Sequence, residues 1–254
     1  MRKSRVFGRN AVVMPRQDPL RFALSFLIPP RCAGCGCEPP GARDVLCPTC
    51  SDQMPRLTGD LCSFCALPVP CIRCLGPAAP WESVGAACVH AGPAPGLVVA
   101  LKGSGSKAIA RVMALEMSRS DSLPAPSGLG VVSVPGHPAR FRSTGVDHAQ
   151  VLGSQLAEVL GRPFLSLLKR DGGRGSGWQA GASRTERMRE GRIRVSCLQP
   201  APPECLLVDD VHTTGASLAA SAGALLDAGA QRIFCMTFAR TLPPGVKGGS
   251  ARSW

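Results

Sequence analysis

The sequence contains no tyrosine, and its aromatic residues are limited to 3 Trp and 8 Phe. That scarcity excludes a core built mainly on rings and leaves no aromatic pattern of the kind that stacks successive bases. Long apolar runs are missing as well. Nothing approaches the roughly 18 consecutive apolar residues of a membrane-spanning helix. The run from Phe22 to Ile28 contains Ser25 and leads directly into "PPRCAGC" without a small-residue cleavage site, so neither a signal peptide nor a spanning segment is expected. Acids are scarce too: 17 Asp and Glu stand against 29 Lys and Arg, for a formal net charge of +12. The excess is concentrated in residues 1–31 and 140–194. Such a surface attracts anions, whether nucleic acid, phosphorylated metabolites or counterions.

Cysteine is plentiful, with 13 residues, ten of them between Cys32 and Cys88. Without a secretory signal the expected compartment is the reducing cytoplasm, where clustered thiols bind metal more often than they pair as disulfides. Four CxxC pairs form two quartets: Cys32, Cys35, Cys47 and Cys50, then Cys62, Cys65, Cys71 and Cys74. Two such pairs supply four thiolates, enough to close a tetrahedral structural zinc site. Two zinc ions are therefore expected. Iron–sulfur ligation is the alternative, and Cys37 and Cys88 are further thiols that either quartet could recruit.

The 254 residues suffice for one sizeable core with a small appendage, or for two modest domains. The expected organisation is a basic segment over 1–30, a double zinc ribbon over 31–78, an α/β domain over 79–241 and a disordered tail over 242–254. Ala78 to Gly96, rich in Pro, Gly and Ala, reads as a linker or as the edge of the next domain. "LVVAL" at 97–101 reads as a strand, "KGSGS" as a loop, and 107–118 as a helix. "VVSV" at 131–134 is a strand stopped by Pro135, and 147–160 a helix with one apolar face. The glycine- and arginine-rich stretch 170–192 is either a surface loop or a mobile cover bringing guanidinium groups over a phosphorylated ligand. "CLLV" at 205–208, the helix 217–229 and the strand 232–239 make a parallel βαβ unit whose sheet is covered on both faces.

The stretch "LLVDDVHTTGAS" at 206–217 ends an apolar run in two acids and turns on threonines and a glycine. Ligands of open parallel sheets bind beyond the carboxyl ends of the strands. A following helix start offers free N–H groups suited to phosphate. Asp209 and Asp210, read as lying past the strand end, suit ribose hydroxyls or a cation. Val211, His212, Thr213, Thr214, Gly215, Ala216 and Ser217 suit a 5′-phosphate. A paired-acid helix cap is the bland alternative.

This stretch resembles the 5-phosphoribosyl 1-diphosphate signature of type I phosphoribosyltransferases. With "PPRCAGC", the two quartets, "LKGSGS", "VVSVPGHPARFRSTGVDHA" and the "SRTER" segment in the same order, the chain resembles the ComF/amidophosphoribosyltransferase-like family associated with bacterial competence. The similarity runs from about Leu24 to Arg240. It implies a parallel sheet flanked by helices, and a site that holds 5-phosphoribosyl 1-diphosphate with magnesium. Asp209 and Asp210 would hold the ribose, and Val211 to Ser217 its phosphate. Lys102, Gly103, Ser104 and Gly105 would approach the diphosphate, and Gln179, Arg184 and Arg187 would flank a cover. Three places depart from the family pattern: Thr144 to His148 replace an Arg-Gly-Phe-Asn-Gln run, His90 an aromatic, and Arg189 an Asn. The implied activity is transfer of phosphoribose to an unidentified acceptor. The alternative is a noncatalytic ribose-phosphate or nucleic-acid binder, with single-stranded DNA or DNA-uptake proteins as candidate partners. Oligomeric state stays open.

Overall fold

The computed structural model describes residues 31–41, 44–71, 74, 76–124, 126, 128–171 (Arg140 by its backbone alone) and 193–246. The basic segment 1–30, the candidate cover with Gln179, Arg184, Arg187 and Arg189, and the end of the chain beyond 246 lie outside the described residues.

Four parallel strands form the sheet: β1 (Ser83–Val89), β2 (Gly130–Ser133), β5 (Glu204–His212) and β6 (Arg232–Arg240), in the order β1-β6-β5-β2. The two central strands are apolar on both faces, as a sheet covered on both sides requires. Alternation divides them. Leu206 and Val208 of β5, with Phe234, Met236 and Phe238 of β6, join one core layer; Cys205, Leu207, Ile233 and Cys235 join the other. The first layer is completed by helices α2 (Ala94–Ser104), α3 (Lys107–Ser118) and α5 (His148–Leu160), through Leu97, Leu101, Met113, Met117, Leu152 and Leu156. The second is completed by α6 (Ala216–Asp227) and by Leu57, Ala66 and Trp81 from the cysteine-rich region. The fold is thus α/β, with a short α1 (Pro48–Asp52) in the first quartet and α4 (Pro138–Thr144) after β2. A separate antiparallel pair, β3 (Leu168–Arg170) and β4 (Val195–Cys197), lies beyond β2 in sequence. No helix among the described residues is long and apolar enough to cross a membrane.

Helices at 107–118 and 148–160 and strands at 130–133 and 232–240 stand where the sequence places them. Asp147 accepts the free N–H groups of Ala149 and Gln150 and so fixes the start of α5. Three expectations are overturned. "LVVAL" is helical: Ala94, Leu97, Val98 and Leu101 are buried at helical spacing while Val99 is 70% exposed. Five apolar residues are too few to separate the two periodicities. Lys102 to Ser104 are the last turn of that helix rather than a loop, and Gly105 ends it in the left-handed conformation, donating to Leu101 O. The segment 78–96, read as a linker or a domain edge, contains the outer strand β1, where a side chain at Gly85 would collide with the Ser122 carbonyl oxygen. Finally, β5 does not stop at Val208. Its ladder with β6 continues through Asp209↔Thr237 and Val211↔Ala239 to His212↔Arg240, so both acids lie within the strand.

The helical assignment of 94–104 has a direct test by thermal or urea unfolding. Val99→Lys should change stability by less than about 0.5 kcal/mol, as for an exposed helix position. Leu101→Ala, which empties a fully buried site, should cost roughly 2–5 kcal/mol. Equal losses at both positions would contradict the assignment.

Candidate functional site

The cysteine quartets assemble as the spacing predicts. In each, one sulfur per residue lies within 4.8 Å of the other three. Four sulfurs around zinc at ~2.3 Å lie about 3.8 Å apart. The Cys35–Cys47, Cys62–Cys74 and Cys71–Cys74 separations of 3.8, 3.9 and 3.6 Å match that edge. In the first quartet, Cys47 N donates to Cys32 Sγ and Cys50 N to Cys47 Sγ. Burial opposes ionisation of Cys32, but the backbone N–H groups of Cys47, Cys35 and Gly34 outweigh it and bring the thiol down to about 6, favouring the thiolate that a metal needs. These donor sets fit zinc. Cys37 Sγ stands 3.2 Å from Cys35 Sγ as a fifth thiol of that neighbourhood, while Cys88 is buried in the core and donates to Phe238 O.

At the carboxyl end of the sheet, Asp210 is buried and meets two nitrogen-bearing side chains. Lys102 Nζ from the last turn of α2 lies 3.0 Å from both of its oxygens, and His148 Nε2 from the first turn of α5 lies 3.3 Å from Oδ2. Oδ2 still lacks a well-aligned hydrogen bond despite these contacts. Burial works against the Asp210 charge, but His148 and Lys102 prevail and hold it below the usual carboxylate range. Asp209, on the opposite face of the strand, has no such partner among the described residues. Its Oδ1 accepts from Asp210 N at 2.8 Å. Burial, then the charge of Asp210, push it up to about 8. His90 adjoins the same group, lowered by burial and by Lys102.

Beyond Asp210 the chain forms a tight bend into α6. Gly215 caps that helix at φ 80°, a left-handed conformation without a side-chain hydrogen bond, and the first-turn N–H groups of α6 have no intrahelical acceptor. A side chain at Gly215 would meet His212 Nε2 at 2.9 Å. His212 is itself buried, kept neutral by burial at about 4, and its Nδ1 has no partner among the described residues. Its ring stands edge-on to Trp81, with centroids 6.3 Å apart. Thr213 and Thr214 are exposed, and Thr214 Oγ1 accepts from Ala216 N.

The structure therefore brings Lys102, Asp209, Asp210 and the 211–217 bend to one end of the sheet. Gly103 and Ser104 are exposed, and the Ser104 hydroxyl donates to Ala100 O, so it serves its own helix end. Sequence reasoning gave no role to His148 or Arg240. His148 drew notice only as a departure from the family run, and nothing local marked it as a neighbour of Asp210. A cavity of about 670 Å³ opens beside this end, lined by Gly136, Phe141, Asp147, Gln150, Phe164 and Arg170 among others. It contains neither the acids nor the bend, so the side-chain geometry, rather than the cavity, defines the candidate site.

Two measurements follow from this geometry. Metal analysis of protein purified without added metal should give close to two zinc ions per chain, as two quartets require; a folded protein without metal would contradict this. The second concerns Asp209. Between its unfolded value of roughly 4 and its folded value of about 8, the folded state keeps a proton that the unfolded chain has released. Stability therefore falls as pH rises through that window. Asp209→Asn should flatten the slope of the unfolding midpoint against pH, and an unchanged slope would place the burden elsewhere.

No family model matches the sequence. Among solved structures, that of the allosteric regulatory enzyme of purine biosynthesis aligns over 52% of this chain and 24% of that chain, with 20% identity and a TM-score of 0.32. The DNA utilization protein YhgH of Salmonella typhi is 30% identical over 217 residues, which span 78% of this chain and 91% of the relative. By that similarity the chain belongs to the family of the DNA utilization protein YhgH.

Proposed function

We propose that the protein binds 5-phosphoribosyl 1-diphosphate with magnesium at the carboxyl end of its parallel sheet, and acts as a phosphoribosyltransferase in a process tied to the use of DNA. The observation that carries this reading is the single path of β5. It delivers two adjacent acids and then, within five residues, a glycine-capped helix start. Carboxylates alone would repel a phosphate, and a helix start alone would not explain the acids. A phosphorylated sugar needs both.

In this reading the first-turn N–H groups of α6, with Thr213, Thr214 and Ser217, hold the 5′-phosphate. Gly215 lets the backbone approach it closely. Asp209 and Asp210 take the ribose hydroxyls, and their hard oxygens also suit magnesium. The cation would supply positive charge to the diphosphate as it leaves. Lys102, released from Asp210, would face the diphosphate, joined by Arg184 and Arg187. An acceptor needs a base, and His148 is placed for that role. Its contact with Asp210 favours Nε2–H and leaves Nδ1 basic. The two-domain organisation, with a zinc ribbon ahead of a type I phosphoribosyltransferase fold, belongs to the same proposal. So does a link to competence; similarity to a DNA utilization protein supports only the broader tie to the use of DNA.

Calorimetric titration with 5-phosphoribosyl 1-diphosphate, with and without magnesium, is the direct test. Binding should strengthen with the cation. Gly215→Val, folded by circular dichroism, should lose ribose 5-phosphate, because a β-branched residue is excluded from the left-handed region and its side chain runs into His212. Asp209→Asn with Asp210→Asn should weaken the magnesium-dependent part while retaining some affinity for inorganic phosphate. Folded, metallated wild type that binds neither sugar phosphate would overturn the reading. It would leave a noncatalytic nucleic-acid binder, for which the net charge of +12 is the supporting observation.

A further inference from the structure

The second cysteine quartet lies against the candidate phosphate bend through a buried chain of hydrogen bonds that the proposed chemistry does not use. Its first knuckle, Cys62 to Cys65, offers three backbone carbonyls to the sheet. Ser63 O accepts from Val84 N of β1 at 2.7 Å, Phe64 O from Trp81 Nε1 at 3.1 Å, and Cys65 O from Arg240 Nε at 2.7 Å. Arg240 is only 6% exposed. Its Nη1 turns to the other side and is shared among His212 O at 2.6 Å, Thr213 O at 2.7 Å and Thr241 O at 2.9 Å. Trp81 runs in parallel, donating to the knuckle while its ring meets the edge of His212, on which Gly215 rests.

We propose that Trp81 and Arg240 are positioning residues that transmit the order of the second quartet to residues 212–217, so that metal held by Cys62, Cys65, Cys71 and Cys74 sets the anion-binding geometry of the bend. Among the described residues this guanidinium bonds only to carbonyls and has no carboxylate to keep it in place, so its orientation depends on where those carbonyls stand. One of them belongs to a residue whose sulfur is a ligand in the quartet. The knuckle carbonyls keep their direction only while the four thiolates are gathered, and metal supplies that gathering. The first quartet does not share this role. It packs instead on the start of helix α2, where a side chain on Gly34 would crowd Pro93 and Cys50.

This inference rests on reading 212–217 as the phosphate site, and two separable readouts distinguish the two. Cys74→Ser removes an exposed ligand of the second quartet, and Cys35→Ser does the same in the first. Each variant should retain about one zinc by metal analysis. Hydrogen exchange, resolved by peptide, should quicken at 212–217 in Cys74→Ser and stay as in wild type in Cys35→Ser. Ribose 5-phosphate affinity should fall about tenfold or more in Cys74→Ser, a factor of the size expected when one charged hydrogen bond is lost. Arg240→Gln should reproduce the faster exchange at 212–217 with both zinc ions retained, which a role confined to metal binding would not give. If a substituted chain fails to fold, graded zinc removal from wild type provides the comparison: protection at 62–74 and at 212–217 should disappear together. Loss at 62–74 with 212–217 unchanged would overturn the coupling. Wild type that shows the coupled exchange but binds no ribose 5-phosphate would retain the coupling and remove the phosphate reading.

Discussion

A buried guanidinium with no carboxylate partner among the described residues is the fixed point of this molecule. Arg240 ends β6 and reaches carbonyls on both sides: Cys65 in the cysteine-rich region, and His212, Thr213 and Thr241 around the end of the sheet. Taking such a charge out of water is unfavourable unless its donors are satisfied, and burial lowers its pKa accordingly. Those carbonyls are therefore held in a set arrangement. Three pieces of chain remote in sequence meet at this side chain, and the bend after β5 takes its path from that meeting.

The two cysteine quartets divide their attachments to the sheet. The second supports the bend through Trp81 and Arg240. The first sits against α2, where Gly96 packs on the backbone of Ala33 and Gly34 so closely that no side chain would fit. At its other end α2 carries Lys102, the partner of Asp210. Each cluster thus bears on a different arm of the candidate site, one on the lysine that faces the acids and one on the turn that follows them. The quartets are built into the mounting of the site and are more than a separate appendage.

What the sequence disclosed depends on how local each feature is. Ligand pairs three positions apart and the apolar stripes of 107–118 and 147–160 are short-range patterns, and each is found as read. The errors occur where distant partners decide. Strand β1 has only Val84 and Val89 among Ser, Gly, Ala and Cys, with Ser122 pressed on Gly85, and small residues carry no strand signal of their own. "LVVAL" is too short to declare its period, and its burial is set by the layer of helices around it. The acids were read as lying beyond β5 because charge normally ends a buried run. Instead β6 is long enough to continue the ladder past them. His90 and His148 departed visibly from the family pattern, but only the folded chain shows that both departures reach the neighbourhood of Asp210.

The ion pair between Lys102 and Asp210 gives the site an internal counterweight. A ligand that engages the carboxylate must displace the ammonium, and a ligand that draws off the ammonium leaves the carboxylate exposed to desolvation. A purely anionic or purely cationic visitor therefore strands one of the two charges, and a stranded buried charge is far more unfavourable than a missed contact. A molecule bringing an anionic arm together with hydroxyls or a bound cation satisfies both at once. In the proposed reading, selection works by exclusion: each candidate ligand is screened by what it would leave unpaired, before any fit of shape is tested.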